Sequence, residues 1–484
     1  MIPTLKQKAV SATIWSAIDT LARQGVSFGI TLILARLLTP TDYGTVGLLA
    51  IFLGVAAVFI SSGFSSALIQ RQEISEVDLS SVFFFNIAIA LLCTLLLCAA
   101  APLIASFYNM PVLTPLTRLM AASLFIGAFG SIQSTLLTKS LNFRRQCIIS
   151  LASVVVSGSI AVVMALYNYG VWSLAISAMA STCVSTLLLW LFSSWRPRLL
   201  FSVTAVRSLF RFGSFLLISG LLDTLFTRMN TLVIGKFYSP QDLGYYSRAD
   251  GTQQLPAGLL ATTISRVAFP IFAAAHNDKE LLRAGLKKAI TMVMMINIPI
   301  MIGMAVTARL LVLVLFGWQW LPCVQYLQIL CLGGIFWPLH VLNLNVLTAQ
   351  GHSNLFFRLE VIKKVIGIVT LGSACFFGIK AIAWSMVVTN LIGFGINAHY
   401  SGRFLKYGTL SQTIDLLPYL AASLIMAICI WMAFMLPLQA PLLLLSAQIL
   451  IGVASYALVC LTFRLSSFME SIDLMTTRLQ NKSI

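Results

Sequence analysis

Charge is scarce in this chain. Only 9% of its 484 residues are Asp, Glu, Lys or Arg, against 59% hydrophobic, whereas a water-soluble domain carries about 25% charged residues. Such a chain has too little polar surface to cover itself in water, and the hydrocarbon of a bilayer is the solvent that suits it. Acidic residues are the scarcer kind, 14 against 31 basic ones, for a formal net charge of +17. Long polar connections are missing too. The largest, about 193–212, is too short for a nucleic-acid-reading module, so nucleic acid is excluded as a partner and the basic residues read as orientation signals facing anionic lipid. There is no GxxxxGK[ST] phosphate loop and no HExxH, so the chain offers no nucleotide site of its own to drive a pump. Nine cysteines stand singly with no CxxC, which reads as small buried apolar residues rather than a disulfide framework. The four histidines, His276, His340, His352 and His399, share no spacing and predict no metal site.

What is present is a succession of apolar runs long enough to span a bilayer. They cover about 12–37, 46–69, 81–106, 116–138, 148–167, 171–192, 213–237, 252–273, 289–315, 325–349, 359–378, 381–400, 415–435 and 442–462. The first follows Lys6 and Lys8 as a signal peptide would, but it runs on to about Leu38 without a small-x-small cleavage site and is read as a retained membrane helix. The fold class is therefore all-α: a polytopic membrane protein with about 14 transmembrane helices. Lys and Arg orient it. Six lie on the odd-numbered side (Arg36, Arg118, Lys236, Arg248, Arg309 and Lys380), two lie within helices (Arg23 and Arg228), and the other 23 of 31 fall at the termini and even-numbered connections. Both termini are thus expected in the cytoplasm.

The chain also repeats itself at a spacing of 200. Residues 34–47 read LARLLTPTDYGTVG and residues 234–247 read IGKFYSPQDLGYYS. Arg36 matches Lys236, Thr39 matches Ser239, Pro40 matches Pro240, Asp42 matches Asp242 and Gly44 matches Gly244. The shared Thr/Ser-Pro-x-Asp-x-Gly is a helix stop and restart, with a capping hydroxyl, a proline at the first helical position and an acid in the first turn. Thr135–Arg145 and Asn345–Phe357 each close an apolar helix, the fourth and the tenth, with Leu-Thr and then a polar stretch, and Tyr167–Gly170 parallels Phe376–Gly378. A unit of six helices keeps both copies in one orientation, so they form two parallel lobes suited to alternating access across a cleft. The expected organisation is an N-lobe over 1–200, a C-lobe over 201–408, and two extra C-terminal helices with a tail over 409–484.

The run Leu34-Ala35-Arg36-Leu37-Leu38-Thr39-Pro40-Thr41-Asp42-Tyr43-Gly44, leading into a second apolar helix, resembles the polysaccharide transporters, the Wzx-type flippases of the multidrug/oligosaccharidyl-lipid/polysaccharide exporter superfamily. Leu141-Asn142-Phe143-Arg144-Arg145 resembles their colanic-acid and teichuronic-acid exporter branch. The resemblance implies a non-enzymatic exporter in the bacterial inner membrane. It would carry an oligosaccharide repeat unit on undecaprenyl pyrophosphate to the periplasmic leaflet, for surface or exopolysaccharide biosynthesis. It also implies coupling to an ion gradient, Na⁺ or H⁺ being left open, with no other cofactor. Membrane lipids, a polysaccharide polymerase and chain-length proteins are the expected partners, and the chain is expected to act as a monomer. Flipping of a peptidoglycan precursor and export of drugs remain alternatives within the superfamily. A membrane glycosyltransferase or polymerase is the alternative from another class.

Charges inside membrane helices are costly and need a reason. Helix one carries Asp19 and Arg23, four apart on one face; helix seven, its repeat partner, carries Asp223 and Arg228. On the transporter reading Arg23 and Arg228 bind the pyrophosphate, whose oxygens suit the planar guanidinium fork. Asp19 and Asp223 then orient the arginines or take part in ion coupling. Arg36 is a further candidate at the outer end of helix one, matched by Lys236. Arg248 and Asp250, at the start of helix eight, complete the set as a substrate-binding residue and an ion-coupling or orienting one.

Overall fold

The structure, a computed structural model, describes residues 5–480 apart from 62, 72, 73, 276, 277, 436 and 438. His276 of the histidine reading and Lys482 of the orientation count lie outside the described residues. The described residues form helices and no strands.

The first repeat begins with α1 (Leu5–Leu37). The second predicted span is built from α2 (Pro40–Leu48), α3 (Ala50–Ser61) and α4 (Phe64–Gln70), and the third is α5 (Glu76–Phe107). The fourth is broken into α6 (Leu113–Ala128) and α7 (Ser131–Lys139), set at 46° to each other. Then come α8 (Phe143–Leu166) and α9 (Val171–Phe192). The second repeat follows the same plan: α10 (Val203–Phe237), α11 (Pro240–Ala274), α12 (Lys279–Leu315), the broken pair α13 (Cys323–Gly334) and α14 (Trp337–Ala349), then α15 (Ser353–Ala374) and α16 (Ile379–Leu405). The tail holds α17 (Thr409–Met432), α18 (Pro441–Thr462) and α19 (Ser466–Gln480), of which α19 was not expected from hydropathy.

Among the described residues, ten helical stretches are long and apolar enough to cross a membrane, and twelve when the bent pairs α1–α2 and α6–α7 each count as one span. The other two expected spans are α11 and α15. They are continuous helices of 35 and 22 residues, but α15 carries Arg358, Glu360, Lys363 and Lys364 within seven residues, a charge density that sets it apart from the apolar spans. The all-α polytopic membrane fold is thus established.

Two compact units divide the chain, Met1–Gly244 and Tyr245–Ile484. In the first, α1 lies along α8, with Leu34 and Leu38 on Ala161 and Ala165. Helix α10 packs on α2, α3, α4 and α5, so the first unit includes the opening helix of the second repeat. In the second unit, a stripe on α12 (Leu282, Leu286, Ile290, Met294, Ile298) meets Leu339, Leu342 and Val346 of α14 and Tyr419, Ala422 and Met426 of α17. Lipid is as apolar as these side chains, so close packing and buried hydrogen bonds hold such a core rather than escape from water.

Candidate functional site

The repeated Thr/Ser-Pro-x-Asp-x-Gly folds into the same elbow twice. Between α1 and α2 the chain turns by 118°. Thr39 caps α2: its Oγ1 accepts from Asp42 N–H at 3.3 Å and donates to Asp42 Oδ2 at 2.7 Å, while Thr39 N–H donates to the same carboxylate at 2.9 Å. The second elbow repeats each bond. Asp242 N–H donates to Ser239 Oγ (3.1 Å), and Ser239 Oγ and N–H donate to Asp242 Oδ2 (2.7 and 3.4 Å). This reciprocal arrangement uses N–H groups that a helix start leaves without intrahelical partners.

The elbows also meet. A methyl group on Gly44 would stand 1.6 Å from the carbonyl oxygen of Pro240, and one on Gly244 would stand 2.0 Å from that of Pro40. Each helix start therefore rests its glycine on the proline carbonyl of the other, the exchange that a local twofold axis produces. The contact continues as an antiparallel seam between α10 and the second span. Gly54 faces Thr224, Val58 faces Gly220, and Gly63 (φ +69°) lies so close to Gly213 that a side chain there would stand 2.6 Å from its carbonyl oxygen. Small residues let the backbones approach this closely. In the sequence the motif shows only as a stop and restart, and the glycine five residues after the cap in both copies is its one signal of the contact.

The membrane charges divide. Arg23 on α1 and Asp223 and Arg228 on α10 are exposed in the protein, and Asp19 is half-buried. Among the described residues no ion pair joins Asp19 to Arg23 or Asp223 to Arg228. Asp19 instead accepts a hydrogen bond from Ser150 Oγ on α8. Arg36 is exposed in the last turn of α1, where a cation suits the carbonyl end of a helix. Its counterpart Lys236 donates to the carbonyl of Phe107 at 2.7 Å and sits 3.9 Å above that ring. In the second unit Arg248 lies over Phe316 and Trp320, at 5.0 and 4.8 Å from the ring centroids, and Asp250 accepts two 2.9 Å bonds from Gln254.

Two polar features stand outside the candidates drawn from the sequence. Gly25-Val26-Ser27-Phe28-Gly29 spells GxSxG. It lies inside the continuous helix α1, however, and a nucleophile elbow requires a strand-turn-helix. At one end of the second unit, Tyr407 OH donates to Asp415 Oδ2 at 2.8 Å and Lys287 pairs with Asp415 at 2.9 Å. Burial, reinforced by the Asp415 carboxylate, pushes the Tyr407 phenol above its ordinary range, so it is a donor at every physiological pH.

A model of the family described as "Polysaccharide biosynthesis protein" matches residues 33–325, which take in both elbows and the seam. The chain belongs to this family. It is 26% identical to the teichuronic acid biosynthesis protein TuaB of Bacillus subtilis, over 84% of this chain and 83% of TuaB. It is 28% identical to the succinoglycan biosynthesis transport protein ExoT of Rhizobium meliloti, over 81% of each. Among solved structures, the lipid II flippase MurJ in an inward closed conformation superposes with a TM-score of 0.76 at 17% identity, over 93% of this chain and 99% of that one. At that identity the likeness is one of fold. The resemblance seen in the elbow sequence is thus established at the level of the family, and the chain is a multi-pass membrane protein of polysaccharide biosynthesis.

Proposed function

We propose that this protein carries undecaprenyl-pyrophosphate-linked oligosaccharide repeat units from the cytoplasmic to the periplasmic leaflet of the bacterial inner membrane by alternating access. The observation that carries the reading is the reciprocal elbow contact. Two equivalent helix starts, each held rigid by its own capping box, close on one another through a few glycine and proline atoms. Packed contacts of this kind are bistable rather than continuously deformable, which is what a gate needs. With the termini in the cytoplasm, as the Lys and Arg distribution favours, the elbows lie on the periplasmic side and their contact is the closed outer gate.

Arg23 and Arg228 are the phosphate-binding candidates, since both are exposed and neither is tied into an ion pair among the described residues. Asp19, held by Ser150, is an ion-coupling candidate rather than a clamp for Arg23. Asp223 keeps the corresponding role on α10. Arg36 and Arg248 are the further head-group candidates towards the outer end, with Asp250 two residues after Arg248 in sequence. The cargo is moved without covalent change, so no catalytic residue is assigned. The products fit a pathway with a polymerase and chain-length proteins downstream.

The test is a flipping assay on the full chain in proteoliposomes with defined lipid-linked oligosaccharides. Arg23→Lys and Arg228→Lys keep the charge and lose the bidentate fork. A loss of about 1.4 kcal/mol of phosphate binding in each is a tenfold lower apparent affinity. Undiminished transport in both variants would refute the phosphate clamp.

A further inference from the structure

A buried histidine in the second unit has no part in the proposed binding of the carrier. His340 of α14 is 9% exposed, and its Nδ1 lies 3.2 Å from Nδ2 of Asn397 on α16. An amide nitrogen only donates, so Nδ1 here offers its lone pair. The other end of the same amide, Asn397 Oδ1, is buried without a hydrogen-bond partner. Turning the amide over would bring that oxygen to Nδ1, where it accepts from a protonated ring. The pair can therefore satisfy both the neutral and the charged histidine, and the charged state relieves the orphaned oxygen.

A cation stands alongside. A methyl on Gly393 would lie 2.8 Å from His340 Cε1 and 3.1 Å from Lys363 Cδ, so the Lys363 stem runs beside the ring. The Lys363 side chain, from α15, is 14% exposed, and its ammonium pairs with Glu360 Oε1 at 2.5 Å. Orientation alone does not explain it: Lys363 lies ten residues into α15, while His340 and Asn397 lie nine and eight residues before the ends of α14 and α16. At 1.5 Å per residue the cluster sits roughly 12–15 Å in from one end of the unit. The remaining groups near His340 are uncharged. From α16 come Asn397 and Asn390, and from α12 Asn297, which is bonded to the break before α14. The charged residues of α12 stand towards its ends, at Lys279, Glu280, Arg283, Lys287, Lys288 and Arg309.

Between the cluster and that end lies a further group of buried polar side chains. One turn on, Ser401 Oγ and Gln412 Nε2 both donate to Asn343 Oδ1 (2.5 and 2.9 Å), and Gln412 Nε2 also donates to the carbonyl of Tyr407 (3.1 Å). Tyr407 leads to Asp415 and Lys287.

We propose that His340 is a proton-binding site, that Asn397 reads its protonation state, and that Lys363 with Glu360 converts that state into movement of α15. This rests on the transporter reading above and names its coupling ion as the proton. A proton taken from water at that end adds to the Nδ1 lone pair, and the same proton is later released from Nδ1. While it is bound, imidazolium and ammonium repel across the α14–α15 contact and compete for the one carboxylate, Glu360. Protonation thus favours a packing in which α15 stands away from α14 and α16.

The test uses the full chain in nanodiscs, with spin labels at Asn354→Cys on α15 and Arg403→Cys on α16 and the native cysteines replaced. Burial and the neighbouring ammonium both oppose the charge, so the label distance should change on acidification, between pH 3.5 and pH 8.5, with one midpoint. His340→Asn should abolish the change. Asn397→Asp sets a carboxylate opposite Nδ1 and should raise the midpoint by about one unit or more. Lys363→Met removes the opposing cation and should raise it as well; these two variants keep the test open if His340→Asn fails to fold. In proteoliposomes a proton gradient should drive wild-type transport and leave His340→Asn uncoupled. A distance that ignores pH, one that titrates identically in all variants, or transport driven by Na⁺ alone would overturn the proposal. A titrating distance that depends on His340, with no lipid-linked oligosaccharide moved, would uphold the proton site and overturn the cargo.

Discussion

Gly44→Ala places one methyl group where the elbow contact has no room for it. The added carbon would begin 1.6 Å from the Pro240 carbonyl oxygen, and real contacts of this kind stop near 3.0 Å, so the two helix starts must part by about 1.4 Å. The facing atoms are backbone, held by capping boxes on both sides, and cannot swing aside as a flexible side chain would. Alanine also favours the helix itself, by about 0.8–1.0 kcal/mol over glycine, so α2 stays helical and the strain falls on the contact. Overpacking of this kind costs about 1–3 kcal/mol. If only the closed elbow bears that cost, its population relative to the open form falls roughly five- to more than a hundredfold. Disulfide trapping between Thr41→Cys and Gln241→Cys, in a chain without its native cysteines, reads that population, and transport measured alongside should fall with it. Gly244→Ala should behave alike, because the same clash is met from the other side at 2.0 Å. Trapping and transport at wild-type levels in both variants would refute the gate.

Other outcomes follow from the same geometry. Thr39→Ala and Ser239→Ala each remove one reciprocal cap; each should cost about 0.5–2 kcal/mol, read as a lower thermal midpoint in detergent. Serine at 39 and threonine at 239 should restore it. Tyr407→Phe removes the donor to Asp415 while Lys287 remains. A bond to a charged acceptor is worth about 1.5–3 kcal/mol. The loss should be the same from pH 6 to pH 9, because the raised phenol stays protonated throughout; a loss confined to high pH would contradict that assignment.

Much of the fold was legible because bilayer thickness sets a length that hydropathy can measure. The sixth span was expected over 171–192, and α9 occupies Val171–Phe192. The elbows were legible because capping is local chemistry, settled within four residues. What pairs with what was not. Asp19 and Arg23 share a face at four-residue spacing, but Asp19 turns to Ser150, which lies 131 positions away in sequence. Lys363 and Lys364 read as orientation charges because a sequence gives depth only roughly, and Lys363 proves to be largely buried within α15. The histidines shared no spacing, yet His340 finds Asn397, 57 residues on. Contacts between distant helices depend on which faces meet, and periodicity within one helix carries no record of that. The candidate binding residues Arg23, Arg228, Arg36 and Arg248 were found as charges out of place, which is a signal about cost and not about partners.

The seam along α10 bears on how the chain is made. Gly213–Phe237 is the least apolar of the ten apolar spans among the described residues, and it carries Asp223 and Arg228. Alone in lipid it is a poor candidate for insertion. It is synthesised after the second and third spans, and those are the helices on which it packs, glycine to glycine at Gly63 and Gly213. The order of synthesis thus supplies the seventh helix with a receptor already standing in the bilayer. A chain beginning at residue 203 should leave that helix outside the membrane, whereas co-expressed residues 1–202 should draw it in, as glycosylation-site mapping would read. The first copy of the repeat then serves as the template on which the second begins.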